Sequence, residues 1–117
     1  MIQFTLKGKM LTKKNMYRRS RNGGMFKPDE VTAWEKDMYY QMKQARLPKT
    51  AGYYSITMQI YFKTAAGDLD GAITSLLDVF QIYGLIDNDA HVVEQHSFKL
   101  KDKKNPRAVI ELVLLDK

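Results

Sequence analysis

Between Tyr53 and Phe62 the side chains alternate without a break: Tyr54, Ile56, Met58, Ile60 and Phe62 fall on one side, and Tyr53, Ser55, Thr57, Gln59 and Tyr61 on the other. Period two over such a run predicts a strand with one face on a core and the other partly polar or covered by a partner. A chain built around that strand needs a sheet, and the flanking sequence supplies its other members.

Ile2, Phe4 and Leu6 alternate with Gln3, Thr5 and Lys7, a short amphipathic strand. Residues 8–27 are rich in Lys, Arg and Asn, contain Gly23-Gly24 and hold no sustained period, so they read as a functional loop or a mobile hairpin. Pro28 suits a first helical position, and Asp29 and Glu30 then fall where negative charge is favoured. Val31, Trp34, Met38, Met42 and Ala45 follow at helical spacing, predicting an amphipathic helix over 29–46 with Trp34 inward and Pro48 beyond its end. A second helix over 70–83 buries Ile73, Leu76, Leu77 and Phe80, with Ala72, Val79 and Tyr83 widening the stripe and Gly84 as its end residue. Residues 92–100 and 108–115 read as two last strands, fitting a hairpin with the basic tip 101–106. The order predicts one α+β domain over 1–117: a mixed β-sheet of about four strands with two amphipathic helices.

The absence of Cys excludes a disulfide scaffold and a thiolate metal site. Lysines interrupt the start before a signal sequence forms, and no run approaches a membrane span, so a cytoplasmic protein is the expectation. A chain this short buries a modest fraction of its surface, so a homodimer would add useful partner surface. Charge is unevenly placed: residues 1–27 hold eight Lys or Arg and no acid, and residues 99–107 hold five bases against Asp102 alone. The middle, 28–98, carries ten acids and five bases. Two basic arms around an acidic centre suit phosphate neutralisation, which gives affinity with little sequence preference. Solubilising loop charge is the plainer alternative, and RNA or anionic lipid are other polyanions that fit.

Asp68 and Asp70 bracket Leu69 after the turn Ala65-Ala66-Gly67. In an extended segment both carboxylates point to one side; Asp70 also suits a helix cap. The second helix is expected to return the chain so that Asp89 joins them. Three gathered carboxylates repel one another, and a divalent cation relieves that cost. Magnesium prefers such oxygen ligands and completes its shell with water and phosphate. Ordinary capping and surface charge is the alternative. Thr74 and Asp78 lie further along the same side of the helix as Asp70, as candidate supports of the metal site. His91 beside the acidic turn is placed to meet substrate, but reads first as a satisfied surface or core histidine, and its odd spacing from His96 argues against a paired-histidine site. In the arms, Lys13, Lys14, Asn15, Tyr17, Arg18, Arg19 and Arg21 combine cations with an amide and an aromatic that stacks on a base or anchors the loop. Lys101, Lys103, Lys104 and Arg107 form a second candidate set of phosphate contacts.

Asp68-Leu69-Asp70, Ile73, Leu76-Leu77-Asp78, Gly84-Leu85-Ile86 and Asn88-Asp89-Ala90-His91-Val92 together resemble the RusA family of Holliday junction resolvases. The family pattern runs D-L-D-N, then a helix with L-x-D-A-L, then G-h-h-x-D-D-x-x-V, where h is apolar. Lys14-Asn15-Met16-Tyr17-Arg18 is weakly similar to the family's S-x-N-x-x-x-R loop, and Leu112 falls in a similar terminal strand. The resemblance implies a homodimeric endodeoxyribonuclease of DNA recombination and repair that cuts four-way junctions with Mg2+ or Mn2+. It gives the metal-binding and catalytic roles to Asp68, Asp70 and Asp89, and DNA contacts to the basic loop. Three positions depart from the pattern: Gly71 stands for the usual Asn, Thr74 for a catalytically important Lys, and Asn88 for the first of an Asp pair. Thr cannot supply the cation that steadies a developing phosphorane. Slow hydrolysis, reliance on Lys13, Lys14 or Lys63, or junction binding without cleavage are the readings this leaves.

Overall fold

The computed structural model describes residues 1–11, 18–19, 25–26 and 29–115, the two short internal pieces as backbone strands. In chain order the elements are β1 (Ile2–Lys7), β2 (Arg18–Arg19), β3 (Met25–Phe26), α1 (Asp29–Gln44), β4 (Tyr53–Phe62), α2 (Leu69–Tyr83), β5 (Val92–Lys101) and β6 (Arg107–Leu115). A short 3-10 turn, Asp89–His91, precedes β5. Four strands form one mixed sheet in the order β1-β6-β4-β5, while β2 and β3 pair antiparallel beside Arg18↔Phe26. The predicted α+β class is the observed one.

The alternation that marks β4 is realised in its burial: Tyr54, Ile56, Met58 and Ile60 are fully buried, as are Ala108 and Ile110 on neighbouring β6. They pack with Met38 and Met42 of α1 and Leu76, Val79 and Phe80 of α2 in one continuous core. Each Ile, Leu, Val, Met or Phe among them contributes on the order of 1.5–3 kcal/mol by leaving water. α2 ends at Gly84, whose φ of 97° is a left-handed conformation open to glycine, and whose N–H donates to Phe80 O at 3.0 Å. α1 stands at the β1 end of the sheet. Gln41 clamps the Lys7 backbone from both sides, at 2.7 and 2.9 Å, and Trp34 Nε1 donates to Lys9 O at 3.0 Å.

The expected β5–β6 hairpin does not form. β4 lies between the two strands, parallel to β5 and antiparallel to β6, so residues 102–106 bridge across the end of β4. Burial explains the order. β6 alternates Ala108, Ile110 and Leu112 into the core and takes a central place, whereas polar β5 is left at the edge with every residue exposed or half-buried. The bridge is fixed to β4: Asp102 N donates to Phe62 O at 2.8 Å, and the Arg107 guanidinium lies 3.8 Å from the Tyr61 ring centre.

Candidate functional site

α2 begins at Leu69, so Asp68-Leu69-Asp70 is not an extended segment. Asp68 is the N-cap, its Oδ1 accepting from Gly71 N at 3.3 Å, and Asp70 lies in the first turn. The capping role therefore falls on Asp68 rather than Asp70. A helix start tolerates both charges because its free N–H groups face them. One turn on, Thr74 Oγ1 donates to Asp70 O at 3.0 Å, and half-buried Asp78 follows.

Asp89 is elsewhere. Its backbone N–H donates to Gln81 Oε1 at 2.7 Å, which ties it to the last turn of α2. Eleven residues separate Asp70 from Gln81, about 16 Å at 1.5 Å per residue. Among the described residues, no three His, Asp or Glu side chains stand close enough to hold a metal ion. The expectation that the helix returns Asp89 beside the first pair is thus corrected within one chain. A strand, helix and parallel strand in series place their two connections at opposite ends of the sheet, and β4–α2–β5 is such a unit.

The turn that carries Asp89 is braced from β4. Buried Tyr54 has its hydroxyl 3.2 Å from Asp87 Oδ1 and 2.9 Å from Thr50 Oγ1, and accepts from Asp87 N at 3.3 Å. His91 Nδ1 lies 3.0 Å from the same Asp87 oxygen, and its ring meets Tyr53 with centroids 5.0 Å apart. The hydrogen bond from His91, reinforced by its charge and by Tyr54, holds the Asp87 carboxyl below the usual aspartate value against partial desolvation. Asn88 caps the 3-10 turn, accepting from Ala90 N at 2.9 Å. His91 is therefore a partnered histidine, as the sequence suggests. The spacing of Asp87 and His91 by four is the signal of this brace in the sequence, whereas its contact to Tyr54 joins residues 33 apart. His96 pairs instead with Glu94 at 3.1 Å; that contact, with Ser55, lowers the Glu94 pKa.

At the Asp68 end, a cleft of about 340 Å³ opens between the Lys9–Leu11 segment and the 62–68 loop, with Asp68, Lys9, Lys63 and Pro106 among its walls. Pro106 also borders a second cleft, lined by Lys7, Lys104 and Arg107. Asp102 organises the bridge above: its Oδ1 accepts from Lys104 N and Asn105 N, both at 3.1 Å, and its Oδ2 from Arg107 Nη1 at 2.8 Å. The Asn105 amide, then Arg107, pull the Asp102 pKa down. Arg107 is thereby committed to structure, while Lys101, Lys103 and Lys104 remain exposed. Lys13, Lys14, Asn15, Tyr17 and Arg21 lie outside the described residues; Arg18 and Arg19 are placed by backbone alone, on β2.

A family profile described as endodeoxyribonuclease RusA matches residues 7–113, nearly the whole chain. The chain belongs to the RusA family. A relative from Aquifex aeolicus (strain VF5), described as crossover junction endodeoxyribonuclease RusA, is 29% identical over 114 residues, covering 95% of this chain and 90% of its own. The match spans both acidic turns and the basic bridge, so the RusA resemblance is not confined to a short motif. Endodeoxyribonuclease action on DNA junctions is the family's activity. No helix among the described residues is long and apolar enough to cross a membrane.

Proposed function

We propose that this chain is a cytoplasmic endodeoxyribonuclease of DNA recombination and repair that resolves four-way junctions by metal-dependent phosphodiester hydrolysis. Its metal centre is shared across a homodimer: Asp68 and Asp70 of one protomer act with Asp89 of the partner subunit. The donors are all carboxylate oxygens, which suit Mg2+ or Mn2+. Only Oδ1 of Asp68 has a hydrogen-bond partner among the described residues, so Oδ2 is available. When bound, the metal activates water and polarises the phosphorus centre. Thr74 and Asp78 line the approach from α2, and the basic loop with Lys101, Lys103 and Lys104 holds the branched backbone by its phosphates.

The observation that carries the shared centre is the exposed stripe of α2. Asp70, Thr74, Leu77 and Gln81 recur at steps of four, three and four, and each is exposed or half-buried. A two-fold axis crossing α2 near Ser75 and Leu76 would set Asp70 against Gln81 of the partner subunit, and so against the turn that Gln81 holds. Tyr83 packs on Tyr39 of α1, leaving the stripe on another side of the helix. β5, at the sheet edge opposite β1 and with no strand on its outer side among the described residues, offers a second surface for a copy of this chain.

The test pairs two inactive chains. Asp70→Asn and Asp89→Asn should each abolish nicking of a labelled junction in Mn2+, and each homodimer should lose Mn2+ binding. The co-expressed heterodimer keeps one intact shared centre, so it should regain nicking and bind one Mn2+ per dimer. A silent heterodimer would place the acids in one chain and end the shared-centre reading. Thr74 favours one other reading, junction binding without cleavage; native protein that holds the junction but never cuts it in Mg2+ or Mn2+ would establish that instead.

A further inference from the structure

We infer that Lys63, assisted by Lys9, is the cation that contacts the scissile phosphate, through the cleft over Asp68. This rests on the nuclease reading and names a residue for it. α2 itself carries no Lys or Arg, so no cation reaches Asp68 or Asp70 from the helix that bears them. The cleft supplies two from other parts of the chain, since Lys9 and Lys63 line it together with Asp68. Both are exposed, and neither has a carboxylate within ion-pair distance among the described residues. By contrast, Arg107 is engaged by Asp102 and Tyr61, and Lys99 Nζ donates to Ala65 O at 2.6 Å.

The backbones under the two lysines are fixed, which matters for a group that must meet a phosphoryl oxygen in one geometry. Lys9 follows Gly8, whose N–H donates to Pro106 O at 3.0 Å, and its own carbonyl is held by Trp34. Lys63 follows buried Phe62, pinned by Asp102, and precedes a turn closed by Ala66 N on Thr64 Oγ1 at 3.3 Å. Gly67 completes the fit, since a Cβ there would overlap the Phe62 ring. An ammonium group at the end of a long stem reaches a non-bridging oxygen from such an anchor and stays charged while negative charge develops. No proton is transferred in this role.

The experiment separates chemistry from general phosphate affinity. In single-turnover cleavage with protein saturating, Lys63→Met should cut the Mn2+-dependent rate by roughly 100–1,000-fold, with junction Kd in Ca2+ within about threefold of the parent and partial recovery in Lys63→Arg. Lys9→Met should show a smaller loss of the same kind. A junction with a methylphosphonate at the scissile position should bind the parent up to about threefold more weakly, a loss matching that of Lys63→Met on the ordinary junction, and should bind Lys63→Met with no loss beyond it, as expected when both changes remove one contact. An unchanged saturating rate in Lys63→Met, or additive losses with the methylphosphonate, would overturn the assignment. If the native protein fails to cut any junction, the nuclease reading fails, and the methylphosphonate cycle still decides whether Lys63 meets that phosphate.

Discussion

The Asp89 amide donates to Gln81 Oε1 at 2.7 Å, so the position of one acidic turn is set by a side chain on the last turn of α2. Groups that hold a ligand in place commonly change metal affinity by 10–100-fold when lost. Gln81→Ala is therefore expected to weaken Mn2+ binding by about tenfold in titration calorimetry. Because Gln81 is exposed, its melting temperature should stay close to that of the parent.

Tyr54 is fully buried, and its hydroxyl serves Thr50 and both the amide and carboxylate of Asp87. Tyr54→Phe keeps the ring but leaves the Asp87 amide without its acceptor, while Thr50 keeps Leu85 O and the Asp87 carboxylate keeps His91; an unmade bond of this kind costs on the order of 1–3 kcal/mol. Urea denaturation should report that loss, and backbone NMR shifts should move from Thr50 to His91 while β1 stays unchanged.

Asp102 sits below its ordinary pKa of 3.8, chiefly through the Asn105 amide and then Arg107. A carboxylate with a depressed folded-state pKa stabilises the fold above the unfolded value, and that contribution fades as pH falls through the folded one. Asp102→Asn should thus melt earlier than the parent at pH 7. Melting curves below pH 3.8 should bring the two together.

Lys103 and Lys104 stand on the bridge that Asp102 and Arg107 hold rigid. Replacing both with Ala should weaken junction binding across sequences and flatten the plot of log K against log salt by roughly two units of slope. An unchanged slope in fluorescence anisotropy would remove this bridge from the DNA path.

Gly67 lies against the Phe62 ring so closely that a methyl group cannot be added without movement. Overpacking of this kind typically costs about 1–3 kcal/mol. Gly67→Ala should lower the unfolding free energy by that order and, by shifting the Lys63 loop, slow cleavage more than it weakens binding.

Local periodicity made most elements legible. Tyr54 to Phe62 alternate because a strand exposes every second side chain, and Ile73, Leu76 and Phe80 recur because α2 turns one face inward. Gly84 marks the end of α2 in the sequence, whereas the start is capped by Asp68 rather than the expected Asp70, a choice the chain direction at the turn decides. Strand order was harder, because pairing of β6 with β4 rather than β5 depends on which strand the core prefers, a comparison across the whole sheet. The site shows the same divide. Asp68, Asp70 and Asp89 stand out as residues, but the length of α2 and the parallel return of β5 set their separation. Lys9 and Lys63 become neighbours only when residues far apart in sequence wall one cleft.

Among the described residues no strand pairs with the outer edge of β5 along its ten residues, and Val93 and Phe98 there are about half exposed. Such a ribbon is sticky toward any extended chain. Glu94, Lys99 and Lys101 interrupt it with charge, so indiscriminate stacking into fibrils meets repulsion and desolvation, and a mate that answers those charges in register is the one the edge admits.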